Sequence, residues 1–263
     1  MKNYLRKGIA LVLSLAMLAV FSIVAFADDA TVSVSLRIEG ATECYYYSTV
    51  EIDDGATVAD VITLADEESD DITVYATESS YGYYLYGIND LYAGSTSVGW
   101  DGWLFLVNGE SPSVSADYVY VSDGDVIVWY YADPYVSGFQ IPVVDISDIT
   151  DGIIRFTSED TEYDENWNAV TVTNPVVGAT VTYDGETYTT DENGEIEVSL
   201  WSVVCGTYSV QIEMYDESGT IPLVLRFAPD YEIEVENTTF LGIVMYIFKP
   251  LYIAIQWLKS IFS

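Results

Sequence analysis

The sequence predicts a mainly β protein: a β-grasp-like α+β domain, then a small β-sandwich domain, then a C-terminal hydrophobic helix. Three observations carry that prediction. Alternation of apolar and polar residues, as in TVSVSLRI over 31–38, recurs along most of the chain and marks strands with one face on a core. The period switches once to helical spacing, at Val58, Val61, Ile62 and Ala65. Finally, residues 239–263 form an apolar segment, TFLGIVMYIFKPLYIAIQWLKSIFS, about long enough to cross a hydrocarbon core as a helix. At 263 residues the chain has room for about two domains of roughly 100 to 150 residues.

Residues 1–27 read as a signal peptide. Lys2, Arg6 and Lys7 precede an apolar run from Ile9 to Phe26, and Ala25-Phe26-Ala27 has the small-x-small form of a cleavage site, so an exported chain starting at Asp28 is expected. No cysteine follows the apolar run, so a lipoprotein anchor is not indicated. Losing three of eight Lys and Arg leaves five against 42 Asp and Glu, and 5 − 42 gives −37. Such a surface repels phosphate backbones and excludes ordinary nucleic-acid binding; its plain reading is a solvated acidic coat. Cys44 and Cys205 fall in different predicted domains; an exported pair could form a disulfide, but a bridge needs Cα atoms within about 7 Å and nothing in the sequence places them together, so two buried thiols are the preferred reading.

The first domain, 28–135, opens with the strand at 31–38, with Val32, Val34, Leu36 and Ile38 on one face, and a second strand from Tyr45 to Ile52. Asp53-Asp54-Gly55 turns the chain, Thr57 is the expected helix N-cap, and a helix near 57–67 packs across the sheet. A short strand at 72–76 leads to the tyrosine-rich YGYYLYGINDLY. There Tyr81, Tyr83 and Leu85 share one strand face and Tyr84 and Tyr86 the other, so only one set reaches a core. Surplus rings offer large contact area at low entropic cost; the plainer reading packs them on the sheet's outer face. Trp100, flanked by Gly99 and Gly102, sits in a permissive loop that lets its indole project toward a ligand, whereas Trp103 starts a strand and reads as core.

Residues 99–131 hold the densest signals. Trp103 to Val107 is a compact apolar run, Asn108-Gly109 a tight turn, Asp123-Gly124-Asp125 a second turn, and 126–131 a final strand. On Trp103, Leu104, Phe105, Val107, Asn108, Gly109, Asp117, Tyr118, Gly124, Asp125 and Ile127, this stretch resembles the transcobalamin-like C-terminal domain, and the likeness extends weakly back to about Thr31. In animal vitamin B12 carriers that domain covers one side of the corrinoid; in bacteria it is found in exported surface proteins. The resemblance implies a corrinoid (cobalamin-like) or similar carried ligand and no other cofactor. With the surplus aromatics it gives Tyr81, Tyr83, Tyr84, Trp100 and Tyr118 as the candidate ligand-binding set.

Residues 136–150 mix Gly, Pro, Val and Asp without period and read as a linker. The second domain, 151–237, begins with a strand at Ile153–Thr157 and an acidic loop, SEDTEYDEN. On Pro175, Val176, Gly178, Ala179, Val181, Thr190, Asp191, Asn193, Gly194, Gly206, Tyr208 and Val210 it resembles the prealbumin-like or carboxypeptidase-regulatory-like sandwich modules of bacterial surface proteins, which implies a spacer or adhesive unit. Asp191, Asn193 and Glu195 alternate as calcium ligands do, but an EF-hand loop needs a glutamate at its twelfth position, here Ser202, so a tight turn is the better account. In the tail, 238–263, Lys249-Pro250 interrupts the apolar run. Gly242, Lys249, Gln256, Ser260 and Ser263 fall near one stripe, as in an interfacial helix or a spanning helix whose polar stripe meets a partner.

Catalysis lacks its usual parts. The chain has no histidine, which excludes Ser-His-Asp, Cys-His and His-metal sites, and no glycine-rich phosphate loop leads to a basic residue. A non-enzyme is expected. Two functions remain: an exported, membrane-attached surface protein of a Gram-positive bacterium that captures a ligand and hands it to a membrane transporter, or a structural or adhesive surface protein whose β-domains are spacers.

Overall fold

The computed structural model describes residues 30–95, 99–135 and 139–262; the expected signal peptide, residues 1–27, and Ser263 lie outside them. The first unit runs β1 (Thr31–Glu39), β2 (Cys44–Asp53), α1 (Val58–Glu68), β3 (Val74–Ser79), β4 (Gly82–Ile88), β5 (Leu91–Tyr92), β6 (Gly102–Val107) and β7 (Val126–Ala132). Its main sheet has the order β2-β1-β7-β6. The two central strands, β1 and β7, run parallel, and both outer strands pair antiparallel, which is the β-grasp arrangement the chain order predicts. Each inward residue of β1 is sequestered: Val34, Leu36 and Ile38 have no exposed surface.

α1 starts where the sequence says it should. The Thr57 hydroxyl accepts from the Asp60 amide at 3.3 Å and the Asp60 carboxylate accepts from the Thr57 amide at 2.8 Å, a reciprocal cap that satisfies two otherwise orphaned donors. Val58, Ala59, Val61, Ile62 and Ala65 are buried against the sheet. Full burial of such an aliphatic side chain stabilises by about 1.5–3 kcal/mol. A second small sheet, β3-β4-β5, packs beside the first. Its ladder shifts register where Tyr75 opposes Gly87 but Ala76 opposes Leu85, leaving Tyr86 as the extra residue of a bulge. Leu85 and Ile88 therefore both point inward, and Tyr84 and Tyr86 outward.

The second unit comprises β8 (Pro142–Asp145), β9 (Ile153–Tyr163), β10 (Ala169–Pro175), β11 (Thr180–Tyr183), β12 (Glu186–Thr189), β13 (Glu195–Glu197), β14 (Gly206–Glu213) and β15 (Glu232–Val235). One sheet holds β10-β9-β13 with β8 on β9, the other β12-β11-β14-β15. They enclose Phe156, Val176, Tyr183, Tyr208 and Val210. Two expectations change. Residues 142–145, within the stretch read as a linker, are a strand of this sandwich, because Val143 and Val144 pair with Thr157 and Phe156. The acidic SEDTEYDEN is mostly strand, since β9 continues to Tyr163 against β10; its two polar faces hid a hairpin whose stability lies in the backbone ladder. Asp191 accepts from the amides of Asn193 and Glu195 at 2.8 and 2.9 Å, so that carboxylate is occupied by its own turn.

The units meet along β7. Val128, Tyr130 and Ala132 pack with Leu225 of the sandwich and with Leu104 and Phe139, so β7 is buried on both faces. Beside this patch, Arg226 Nε donates to Glu39 at 2.7 Å, and Arg37 donates to the Arg226 carbonyl at 2.7 Å. Cys44 and Cys205 are free thiols, half-buried where buried thiols were expected, and they donate to the carbonyls of Tyr46 and Asn237.

α2 (Phe240–Phe262) begins against the sandwich. Lys249 Nζ donates to the Tyr208 hydroxyl at 2.9 Å and lies 4.6 Å above its ring, and Tyr252 stacks on Trp201 at 4.8 Å. Gly242, Met245, Lys249 and Tyr252 thus form the docked stripe, two of them small or apolar, while Gln256 of the expected polar stripe is exposed. The remaining circumference, including Ile247, Leu251 and Trp257, faces outward. Leu241–Lys259, with mean hydropathy 1.5, is long and apolar enough to cross a membrane.

Candidate functional site

A groove of about 460 Å³ opens between β4 and β6. Trp103 and Phe105, two apart on β6, share a face with Trp129 of β7 and form one wall; Tyr83 and Tyr84 of β4, with Tyr81 of the preceding turn, form the other; Ser111, Pro112 and Ser115 close an end. Phe105 and Trp129 lie 4.9 Å apart between ring centroids, and Trp103 meets Tyr131 edge-on at 5.5 Å. Among the described residues, no charged side chain lines the groove.

The closing loop is held by local chemistry. Asn108 (φ 54°) and Gly109 (φ 82°) make the tight turn that their residue types favour, with reciprocal backbone bonds between Val107 and Glu110 at 2.9 and 3.0 Å. The Asn108 amide then accepts from the Val126 amide and donates to Asp125, both at 2.9 Å, tying the loop back to β7. At the far wall the Ser115 hydroxyl donates to the Tyr83 carbonyl at 3.0 Å and Asp117 accepts from the Tyr83 amide at 3.2 Å. Gly82 (φ 100°) allows this approach, since a Cβ there would sit 2.6 Å from Ser115. Burial, the largest influence, raises the Tyr83 hydroxyl above its ordinary pKa, so it remains a neutral phenol at physiological pH.

Two buried indoles line this groove and differ in their partners. Trp103 Nε1 donates to the Leu91 carbonyl at 3.2 Å. Trp129, only 3% exposed, has an Nε1 donor screened from solvent and without a hydrogen-bond partner among the described residues.

The groove brings together three of the five residues expected from the sequence. Tyr81 (92% exposed) and Tyr84 (55%) stand at its rim and Tyr83 is half-buried in its wall. Trp100 projects as expected, at 66% exposure, but lies edge-on to Tyr135 at 5.6 Å and not in the groove. Tyr118, exposed on a short 3-10 turn, is also outside it. Sequence reasoning missed Phe105 and Trp129, and treated Trp103 as core alone. The period-two spacing of Trp103 and Phe105 was the available signal; Trp129 lay within a run apolar at every position.

Residues 55–133, from the turn before α1 to the end of β7, match the model of a family described as a domain of unknown function, DUF4430. The groove lies inside that match. No curated protein matches the chain. Among solved structures, haptocorrin in complex with Cbi is similar at 24% identity and a TM-score of 0.36, with 41% of this chain and 26% of that one covered; the chain therefore spans about a quarter of haptocorrin. A candidate metal-binding protein from Ruminococcus gnavus ATCC 29149 is similar at 19% identity and a TM-score of 0.32, with 40% of this chain and 99% of that one covered.

Proposed function

We propose that this chain is an exported, membrane-attached surface protein whose first unit binds a corrinoid or a similar flat ligand and does not catalyse. The observation that carries the reading is the uncharged aromatic groove between β4 and β6. Its volume falls in the range of small-molecule sites, large enough for one edge of a corrinoid while the rest extends over the exposed rings of Tyr81 and Tyr84. The motif around Trp103 to Asp125, which resembles the transcobalamin-like domain, supports the choice of ligand. α2 attaches the protein to the membrane, and delivery to a transporter follows from that position.

Titration of the detergent-solubilised chain with cobinamide and cyanocobalamin tests this. Saturable binding, weakened at least tenfold by Tyr84→Ala with no change in melting temperature, is the expected result. Absence of binding at millimolar corrinoid would refute the ligand assignment.

A second reading, adhesion, has its own observation: the β9–β10 hairpin ends in exposed Tyr163 and Trp167, the latter at 84% exposure. Cell-surface adhesion lost in Trp167→Ala, with corrinoid binding absent, would favour it.

A further inference from the structure

We infer that Trp129 is the groove's specificity residue, and that its Nε1–H selects ligands presenting a neutral oxygen acceptor such as a carboxamide carbonyl. The inference rests on the reading of the groove as a ligand site, but not on the ligand being a corrinoid.

An indole can donate and cannot accept. Trp103 spends its donor on a backbone carbonyl, whereas Trp129 reaches no acceptor. A buried donor left unmade destabilises the fold, which is why such groups are rare and call for a specific explanation. Burying the rest of the ring does not require the donor, because a phenylalanine would fill much of the same core without it. Trp129 lines the groove, and we take its screened Nε1–H to be reached by an acceptor entering there once the neighbouring side chains shift.

The charge of the preferred acceptor follows from the surroundings. Among the described residues neither an arginine nor a lysine lines the groove, and the chain carries 42 acidic residues against eight basic ones. A carboxylate or phosphate would enter without a counter-charge and against the field of the whole protein. An amide, ester or ether oxygen pays neither penalty. A ligand with no acceptor would leave the indole as unsatisfied as before.

Three probes sharing one ring separate these cases: benzamide, benzoate and toluene, titrated into the full chain in detergent micelles with indole-15N tryptophan. The sequence has six tryptophans, and the Trp129 resonance is identified by its proximity to the Phe105 ring, without a variant. Benzamide is expected to move that resonance downfield and to bind at least fivefold more tightly than benzoate or toluene. Trp129→Phe should bring benzamide and toluene to equal affinity, the melting temperature falling by no more than the cavity left by the smaller ring accounts for. Equal affinities in the wild type, benzamide binding that leaves the Trp129 resonance unmoved, or no binding of any probe would overturn the inference. If benzamide behaves as expected and cobinamide does not bind, the corrinoid assignment fails and the role of Trp129 stands.

Discussion

At the scale of single residues, exposure separates rings that hold the fold from rings that await a partner. Trp103, 7% exposed and touching both Tyr45 and Tyr131, belongs to both groove and core. Trp103→Ala should cost about 3–5 kcal/mol, read as a fall in the denaturation midpoint. Tyr84→Ala, at an exposed rim, should stay within about 0.5 kcal/mol of the wild type. On the corrinoid reading proposed above, Trp100→Ala should leave affinity unchanged, because its ring rests against Tyr135 outside the groove. Cys44 offers a chemical check: burial, followed by the charge of Glu39, pushes its thiol up to about 11 from 9.0. Only the thiolate reacts, so alkylation of Cys44 at pH 8 should run on the order of a hundredfold more slowly than for a cysteine of ordinary pKa. The rate should climb with pH to near 11, as measured by mass spectrometry of the labelled peptide.

At the scale of elements, α2 presents the sharpest contrast between two surfaces. One stripe is held to the sandwich by the Lys249–Tyr208 and Tyr252–Trp201 contacts, and the rest of the helix exposes large apolar side chains such as Ile247 and Leu251. The proposed membrane attachment would set those side chains in a lipid phase. Deleting residues 239–263 should therefore move the protein from the membrane pellet into the medium; full-length protein released quantitatively without detergent would rule out an anchor. α1 depends on its cap in the ordinary way. Thr57→Ala should destabilise the first unit by about 1 kcal/mol, seen as a lower urea midpoint with an unchanged slope.

At the scale of the whole molecule, the buried ions between the units decide whether it behaves as one body. Glu39 is 4% exposed and Arg37 7%, and Arg226 reaches Glu39 and the Gly40 carbonyl from the other unit. Removing one partner of a buried pair costs about 3–5 kcal/mol where it leaves the other charge unpaired, and Arg37, 3.5 Å from Glu39, holds the loss toward the lower end. Arg226→Ala should thus lower the stability of the first unit by that order and split a single calorimetric transition into two. Arg37 also pairs with Glu39, at 3.5 Å, so Glu39→Gln in the same background should deepen the loss by leaving that buried guanidinium unpaired.

The mainly β class, α1 with its cap, the Asn108-Gly109 turn and the apolar tail were legible in the sequence because each is decided by neighbours a few residues away. Alternation, N-cap chemistry and positive φ are local properties. The polar hairpin of β9 and β10 was not legible, since its pairing joins residues whose side chains both face water and so leave no period. β7 shows the same limit from the other side: a run apolar at every position does not say which face meets α1 and which meets Leu225. The groove belongs to this second class. Tyr81, Tyr83 and Tyr84 stand out in the sequence by abundance, but Trp129 joins them only because β7 pairs beside β6 and sets Trp129 opposite Phe105. Sequence by itself determined which rings were available; the packing of β4 against β6 decided which of them share a cavity, because that distance is fixed by contacts far apart in the chain.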